Sequence, residues 1–158
     1  MSPEGTPSLF EWMGGESRLR ALFEEFYRRV ALDPEIGPVF AAMDPRHARK
    51  VADFVGQVFG GPPRYTDDGG THTAMIARHM GRMLTKEQRN RWVALLIETA
   101  DQLGLPEDPE FRAAFVGYLE WGSRLAVMNS AEGVVAPQDE PPMPHWDWGP
   151  PGGPWRAS

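Results

Sequence analysis

Residues 9–30 read LFEWMGGESRLRALFEEFYRRV. Within that stretch Leu19, Leu22, Phe23, Phe26 and Val30 recur by three and four, the spacing that lines one face of an α-helix. Just upstream, Ser8 and Glu11 stand where a capping box needs them, and they open a short helix that Gly14-Gly15 stops. Downstream the long helix ends before Asp33-Pro34, because the residue before a proline is pushed out of helical geometry.

The same period continues along the chain. Asp44-Pro45 reads as a helix start, with Asp as N-cap and Pro at the first helical position. The helix it opens carries Val51, Phe54, Val55 and Val58 on one face and ends at Gly60-Gly61. Residues 60–71, GGPPRYTDDGGT, show no periodicity and read as a loop. A short helical segment at 72–79 carries Met75, Ile76 and His79. Thr85 and Gln88 form a second capping box, followed by Trp92, Leu95, Leu96, Thr99 and Leu103 and closed by Gly104 and Pro106. Asp108-Pro109 starts the last helix, with Phe111, Phe115, Tyr118, Leu119 and Leu125 on one face. No stretch alternates like a strand, so the expected class is all-α with about six helices.

The chain has 158 residues, room for one domain. Composition shifts near Ala136: seven prolines fall between Pro137 and Pro154, with Trp146, Trp148 and Trp155 in or just beyond that stretch. The reading is a helical domain over 1–132 and a Pro/Trp-rich, non-helical extension over 133–158. The chain has Cys 0, which excludes disulfides, thiolate metal sites and a cysteine nucleophile. With Lys+Arg 16 against Asp+Glu 22, the net charge of -6 speaks against nucleic acid as a partner. No apolar run approaches the ~20 residues of a membrane span. The first residues, MSPEGTPSLF, lack the basic start and apolar stretch of a signal peptide, so the expected compartment is the cytoplasm.

His47, His72, His79 and His145 are the four histidines. The sequence holds no HExxH, GxGxxG, Walker-type or GxSxG motif. His47 precedes Val51 by four and Phe54 by seven, and so shares their face. His79 lies four after Met75 and three after Ile76. A lone histidine on an apolar face is usually a core residue with a satisfied ring. Here, however, Tyr27 follows the apolar Phe26, and Trp92 is the first apolar residue of its helix. An all-α domain that aims His, His, Tyr and Trp inward offers polar groups around something. Few acids lie on those faces to bind a bare metal, whereas iron held by a porphyrin needs only one protein ligand, usually an imidazole.

These residues resemble those of the truncated (2-on-2) haemoglobins, most closely the second of the three bacterial groups. The matching stretches are LFEWMGGESRLRALFEEFYRRV, VADFVGQVFGGPPRY, ARH at 77–79 and RNRW at 89–92. Both glycine pairs and the His79-to-Trp92 spacing also fit, over about residues 8–130. The resemblance implies a 2-on-2 truncated globin fold around haem b (iron protoporphyrin IX), with His79 as the proximal iron ligand. It makes Tyr27 the distal tyrosine, Trp92 the distal tryptophan and Phe40 the aromatic packed on the porphyrin. The distal-helix position that faces the iron falls on His47, with one residue fewer between Phe40 and that helix. Many members of the group have a small residue there, so His47 is a departure. Val51 and Phe54 would wall the pocket together with Met75, while Lys50, Arg78 and Tyr65 would meet the haem propionates.

What the family does sets the functional expectation: binding of O2, NO or CO, with Tyr27, Trp92 and His47 as hydrogen-bond donors. Several such donors slow ligand release and suit redox handling of oxygen, nitric oxide or peroxide. Nothing in 158 residues holds a flavin domain, so electrons are expected from an external reductase. A dedicated haem enzyme, peroxidase-like or oxygenating a small molecule, is the first alternative; a haem-based sensor or interaction module is the second. Trp146 and Trp148 are expected to dock the extension on the globin surface in extended form, on its own chain or, by exchange, on a second subunit as a homodimer.

Overall fold

The computed structural model describes residues 5–155. It contains seven α-helices: α1 (Leu9–Trp12), α2 (Gly15–Leu32), α3 (His47–Val58), α4 (Arg64–Asp67), α5 (His72–His79), α6 (Lys86–Gln102) and α7 (Pro109–Ser130). A 3-10 turn spans Gly37–Phe40, and no strand occurs among the described residues. The domain is therefore all-α.

Helices α1, α5, α6 and α7 begin at side-chain caps. The Ser8 hydroxyl accepts from the Glu11 amide at 3.1 Å, and the Glu11 carboxylate reaches back to the Ser8 amide. Thr85 and Gln88 repeat the arrangement at α6, and the Asp108 carboxylate caps Phe111 of α7 at 3.0 Å. Asp33 closes α2 and then ties it outward. Its carboxylate accepts from the amides of Glu35 and Ile36 at 2.9 and 3.1 Å and from Arg91 of α6 at 2.7 Å.

Two places depart from the sequence reading. Asp44-Pro45 does not start α3, which begins at His47. The Asp44 carboxylate instead accepts from the Arg46 amide at 2.7 Å, a side-chain turn that mimics a backbone turn and delays the helix. Residues 60–71 are not all loop, because Gln57 at the end of α3 holds Thr66 through its amide and hydroxyl and supports the single turn of α4. Four residues are too few to show a period.

The helices pack α2 on α3 and α6 on α7, with α2 also against α6 and α5 against α7. Phe23, Phe26, Phe59, Phe111 and Phe115 are fully buried where these helices meet. Beyond Ser130 the chain runs without helix through the last described residue. Trp148 from that segment is nonetheless 3% exposed and joins the core, while Trp155 is 73% exposed. Because α5 contributes no fully buried residue, the space between it, α3 and α6 stays open as a cavity.

Candidate haem site

That cavity measures about 490 Å3 and is lined from every helix except α1 and α4, and from the 3-10 turn. Its lining includes Tyr27 from α2, Phe40 from the 3-10 turn, His47 and Val51 from α3, and Trp92 from α6. From α5 come Met75, Arg78 and His79. Lys50 and Phe54 complete the part of the lining that the sequence pointed to.

The two histidines are held differently. His79 Nδ1 lies 2.9 Å from the Met75 carbonyl one turn back. A carbonyl only accepts, so Nδ1 carries the proton and the Nε2 lone pair is free. This is the arrangement by which helices orient a metal-ligating imidazole. Burial, opposed by that hydrogen bond and aided by Arg82 and Arg78, holds the His79 pKa below its ordinary value, so the ring is neutral. His47 packs edge-on to Tyr27, centroids 4.7 Å apart, and lies 6.0 Å from Phe40. Its Nε2 is buried with no hydrogen-bond partner. Burial first, then Arg78, His79 and Arg82, push its pKa down to about 4, against a smaller opposite pull from Asp44.

Tyr27 is 5% exposed, stacked on Phe23, with Phe40 tilted against it at 5.5 Å and Phe26 edge-on at 4.8 Å. Burial pushes its phenol pKa up, and the neighbouring Trp92 indole pulls the other way. Trp92 is itself fixed edge-on against Phe26 at 5.3 Å. Arg89, buried on α6, anchors that wall to α7 through Glu120 at 3.3 Å and Ser123 at 3.2 Å.

Tyr65 stands apart from the other candidates. It is buried but does not line the cavity; its hydroxyl donates to the Thr71 carbonyl at 2.9 Å, and its ring props Phe54 at 5.0 Å. Several lining residues went unread in the sequence: Ile76 was noted only for its spacing, Tyr118 and Leu119 only as core, and Trp121 and Pro144 not at all. Trp121 lies three residues past Tyr118 on α7, a spacing that could have flagged it.

This set fits a porphyrin iron. The cavity walls are apolar, one imidazole nitrogen is oriented and free, and a second imidazole carries an orphaned buried nitrogen. Among the described residues no cluster of three or more His, Asp or Glu side chains could bind a bare ion. A single imidazole suffices for iron already held by four porphyrin nitrogens.

Residues 8–120 match the family model described as bacterial-like globin. A group 2 truncated haemoglobin of Bacillus subtilis, YjbI, is 36% identical over 113 residues, covering 72% of this chain and 83% of that protein. The crystal structure of the group II truncated haemoglobin from Bacillus anthracis superposes with a TM-score of 0.71 at 27% identity, covering 82% of this chain and 98% of that one. The structure described as the truncated oxygen-avid haemoglobin from Bacillus subtilis gives a TM-score of 0.67 at 34% identity, covering 77% and 99%. With an all-helical fold around a haem-sized cavity and this agreement, the chain belongs to the bacterial-like globins, as a group II truncated haemoglobin of 2-on-2 fold that binds haem b and, as a globin, diatomic gases.

Proposed function

We propose that the protein binds O2 tightly in a polar distal pocket and uses it, or NO or peroxide, in redox chemistry supplied with electrons by an external reductase. The observation that supports this reading is that Tyr27, His47, Trp92 and His79 line one cavity, with His47 edge-on to Tyr27. The description of the Bacillus subtilis relative as oxygen-avid supports the same reading for this chain.

In this reading His79 would hold the haem iron through the Nε2 left free by the Met75 hydrogen bond. Phe40, Phe54, Val51 and Met75 hold the macrocycle by apolar contact, and Lys50 and Arg78 meet its carboxylates. Tyr65 positions Phe54 and α5 rather than reaching those carboxylates itself. A bound haem would supply an iron able to take up a diatomic ligand and polarise it.

The chain's own work is then hydrogen bonding in a dry pocket. The Tyr27 hydroxyl and the Trp92 indole N–H donate towards a ligand, and each neutral bond contributes about 1 kcal/mol, roughly fivefold in affinity. His47, neutral at physiological pH, adds a third group whose nitrogen otherwise lacks a partner. Burial keeps water from competing for these donors.

Stopped-flow O2 dissociation tests the reading. Tyr27→Phe and Trp92→Phe should each speed release by about fivefold. The double variant should depart from additivity, because the two donors share one ligand. Release rates unchanged in both single variants would remove the distal network from the function.

A further inference from the structure

The segment after α7 lies outside the stretch that matches the globin family model, residues 8–120. Residues 140–148 carry no helix, yet both ends are tied to the domain. At one end the Glu140 carboxylate accepts from the Thr73 amide at 3.1 Å and from the Thr73 hydroxyl. The Pro142 carbonyl accepts from His72 Nδ1 at 3.0 Å. At the other end the Trp146 amide donates to the Val58 carbonyl at 2.9 Å, and its indole N–H donates to the Ala114 carbonyl at 2.9 Å. The Trp148 indole N–H donates to the Pro7 carbonyl at 2.8 Å. Between the two anchors Pro144 lines the haem cavity.

His72 and Thr73 form the first turn of α5, and His79 is its last residue. A helix of 8 residues is short of the ~12–15 at which isolated helices become stable in water. It also buries none of its residues fully, so its own packing holds it weakly. The amides of its first turn need acceptors, and a carboxylate there is favoured by the helix dipole. Thr71 satisfies the Ala74 amide at 2.9 Å, and Glu140, from 67 positions along the chain, satisfies the Thr73 amide. At the other end Arg82 donates to the Arg78 carbonyl at 2.6 Å. Because His79 Nδ1 is bonded to a carbonyl of the same helix, ring and helix turn together.

We propose that residues 140–148 are a strap that fixes the pose of α5, with Glu140 as a positioning residue for the axial imidazole and hence for haem retention. The proposal rests on the reading of His79 as the iron ligand. The strap's hydrogen bonds meet α5 at its first turn, at His72 and Thr73, near the opposite end of the helix from His79, so its influence is exerted through the helix as a body.

The test compares the wild-type holoprotein with Glu140→Ala, Glu140→Gln, His79→Gly and a Trp155→Ala control. Glu140 is exposed, so its variants keep the core intact. Three readouts are taken: haem transfer to excess apomyoglobin, the Fe–His stretching band of the ferrous protein, and hydrogen exchange of α5 amides in the haem-free protein. Glu140→Ala should speed haem loss about threefold to tenfold and the exchange of α5 amides by a similar factor, as befits one charge-assisted hydrogen bond at an exposed site. It should also shift or broaden the Fe–His band. Glu140→Gln, which keeps an acceptor for Thr73, should recover most of the loss, and Trp155→Ala should match wild type. Faster α5 exchange with an unchanged Fe–His band and unchanged haem loss would overturn the proposal, as would no change in any readout. Failure of the underlying reading is separately visible: His79→Gly would then retain the Fe–His band.

Discussion

His47 is the side chain whose surroundings demand most of it. Its ring is packed against Tyr27 and Phe40, its Nε2 has no partner, and the nearby cations Arg78 and Arg82 oppose its protonation more than Asp44 favours it. The folded-state pKa of about 4 lies below the ordinary 6.5, so the unfolded chain takes up this proton first as pH falls. Its contribution to stability is therefore complete above pH 6.5 and declines between 6.5 and 4. Urea denaturation of the haem-free protein should show a decline over that window that His47→Leu lessens; equal pH profiles for the two would mean that the ring is solvated. At this scale the sequence exposed a good deal. Spacing placed His47 with Val51 and Phe54, and His79 with Met75, and the cavity does gather these residues. It did not expose Trp121 or Pro144, because a lining residue from a distant element owes its place to helix packing rather than to its neighbours in sequence.

Helices were legible where a cap or an apolar stripe marks them, and less so where a side chain from elsewhere decides. The two capping boxes and the Asp108 cap stand where the sequence put them. The start of α3 does not, because Asp44 bonds to the second amide after it instead of capping a helix. Gly60-Gly61 shows why a helix stop can also be a packing device. Gly60 adopts φ +93, and a Cβ on Gly61 would lie 2.7 Å from the Phe10 ring and 2.8 Å from the Gly56 carbonyl oxygen. The ring has little room to yield, because Phe10 is pinned through its amide to the Phe59 carbonyl at 3.0 Å. Gly61→Ala should therefore cost about 1–3 kcal/mol through overpacking. A Gly61→Ala protein as stable as wild type in urea would show that α1 can move aside.

Across the whole molecule, the segment beyond α7 decides how much of the chain folds as one unit. Its composition, rich in proline with few aliphatics, argues for no core of its own, yet three tryptophans argue against solvent. Two of them resolve the conflict by completing the core of the helical domain. Trp148 lies edge-on to Trp12 at 6.0 Å, and Trp12 in turn donates to Asp108, the cap of α7, at 2.9 Å. Trp146 sits against Tyr118 and Trp121, with ring centroids 5.7 and 5.5 Å away. Start, end and last helix of the domain are thus joined through indoles. Trp148→Ala removes a 3%-exposed ring and leaves the Pro7 carbonyl without its donor. A loss of about 3–5 kcal/mol is expected, as for other large-to-small changes at buried aromatics. Trp148→Phe keeps most of the apolar contact and forfeits the hydrogen bond, so about 1 kcal/mol should go with the bond. Trp155→Ala, at a 73%-exposed ring, should stay within about 0.5 kcal/mol of wild type. Urea unfolding followed by circular dichroism in the far ultraviolet, which reports the helices rather than the tail, should show this order in a single transition. If Trp148→Ala left the helical transition where Trp155→Ala leaves it, the helices would fold without the segment, and its contacts would add nothing to the stability of the domain.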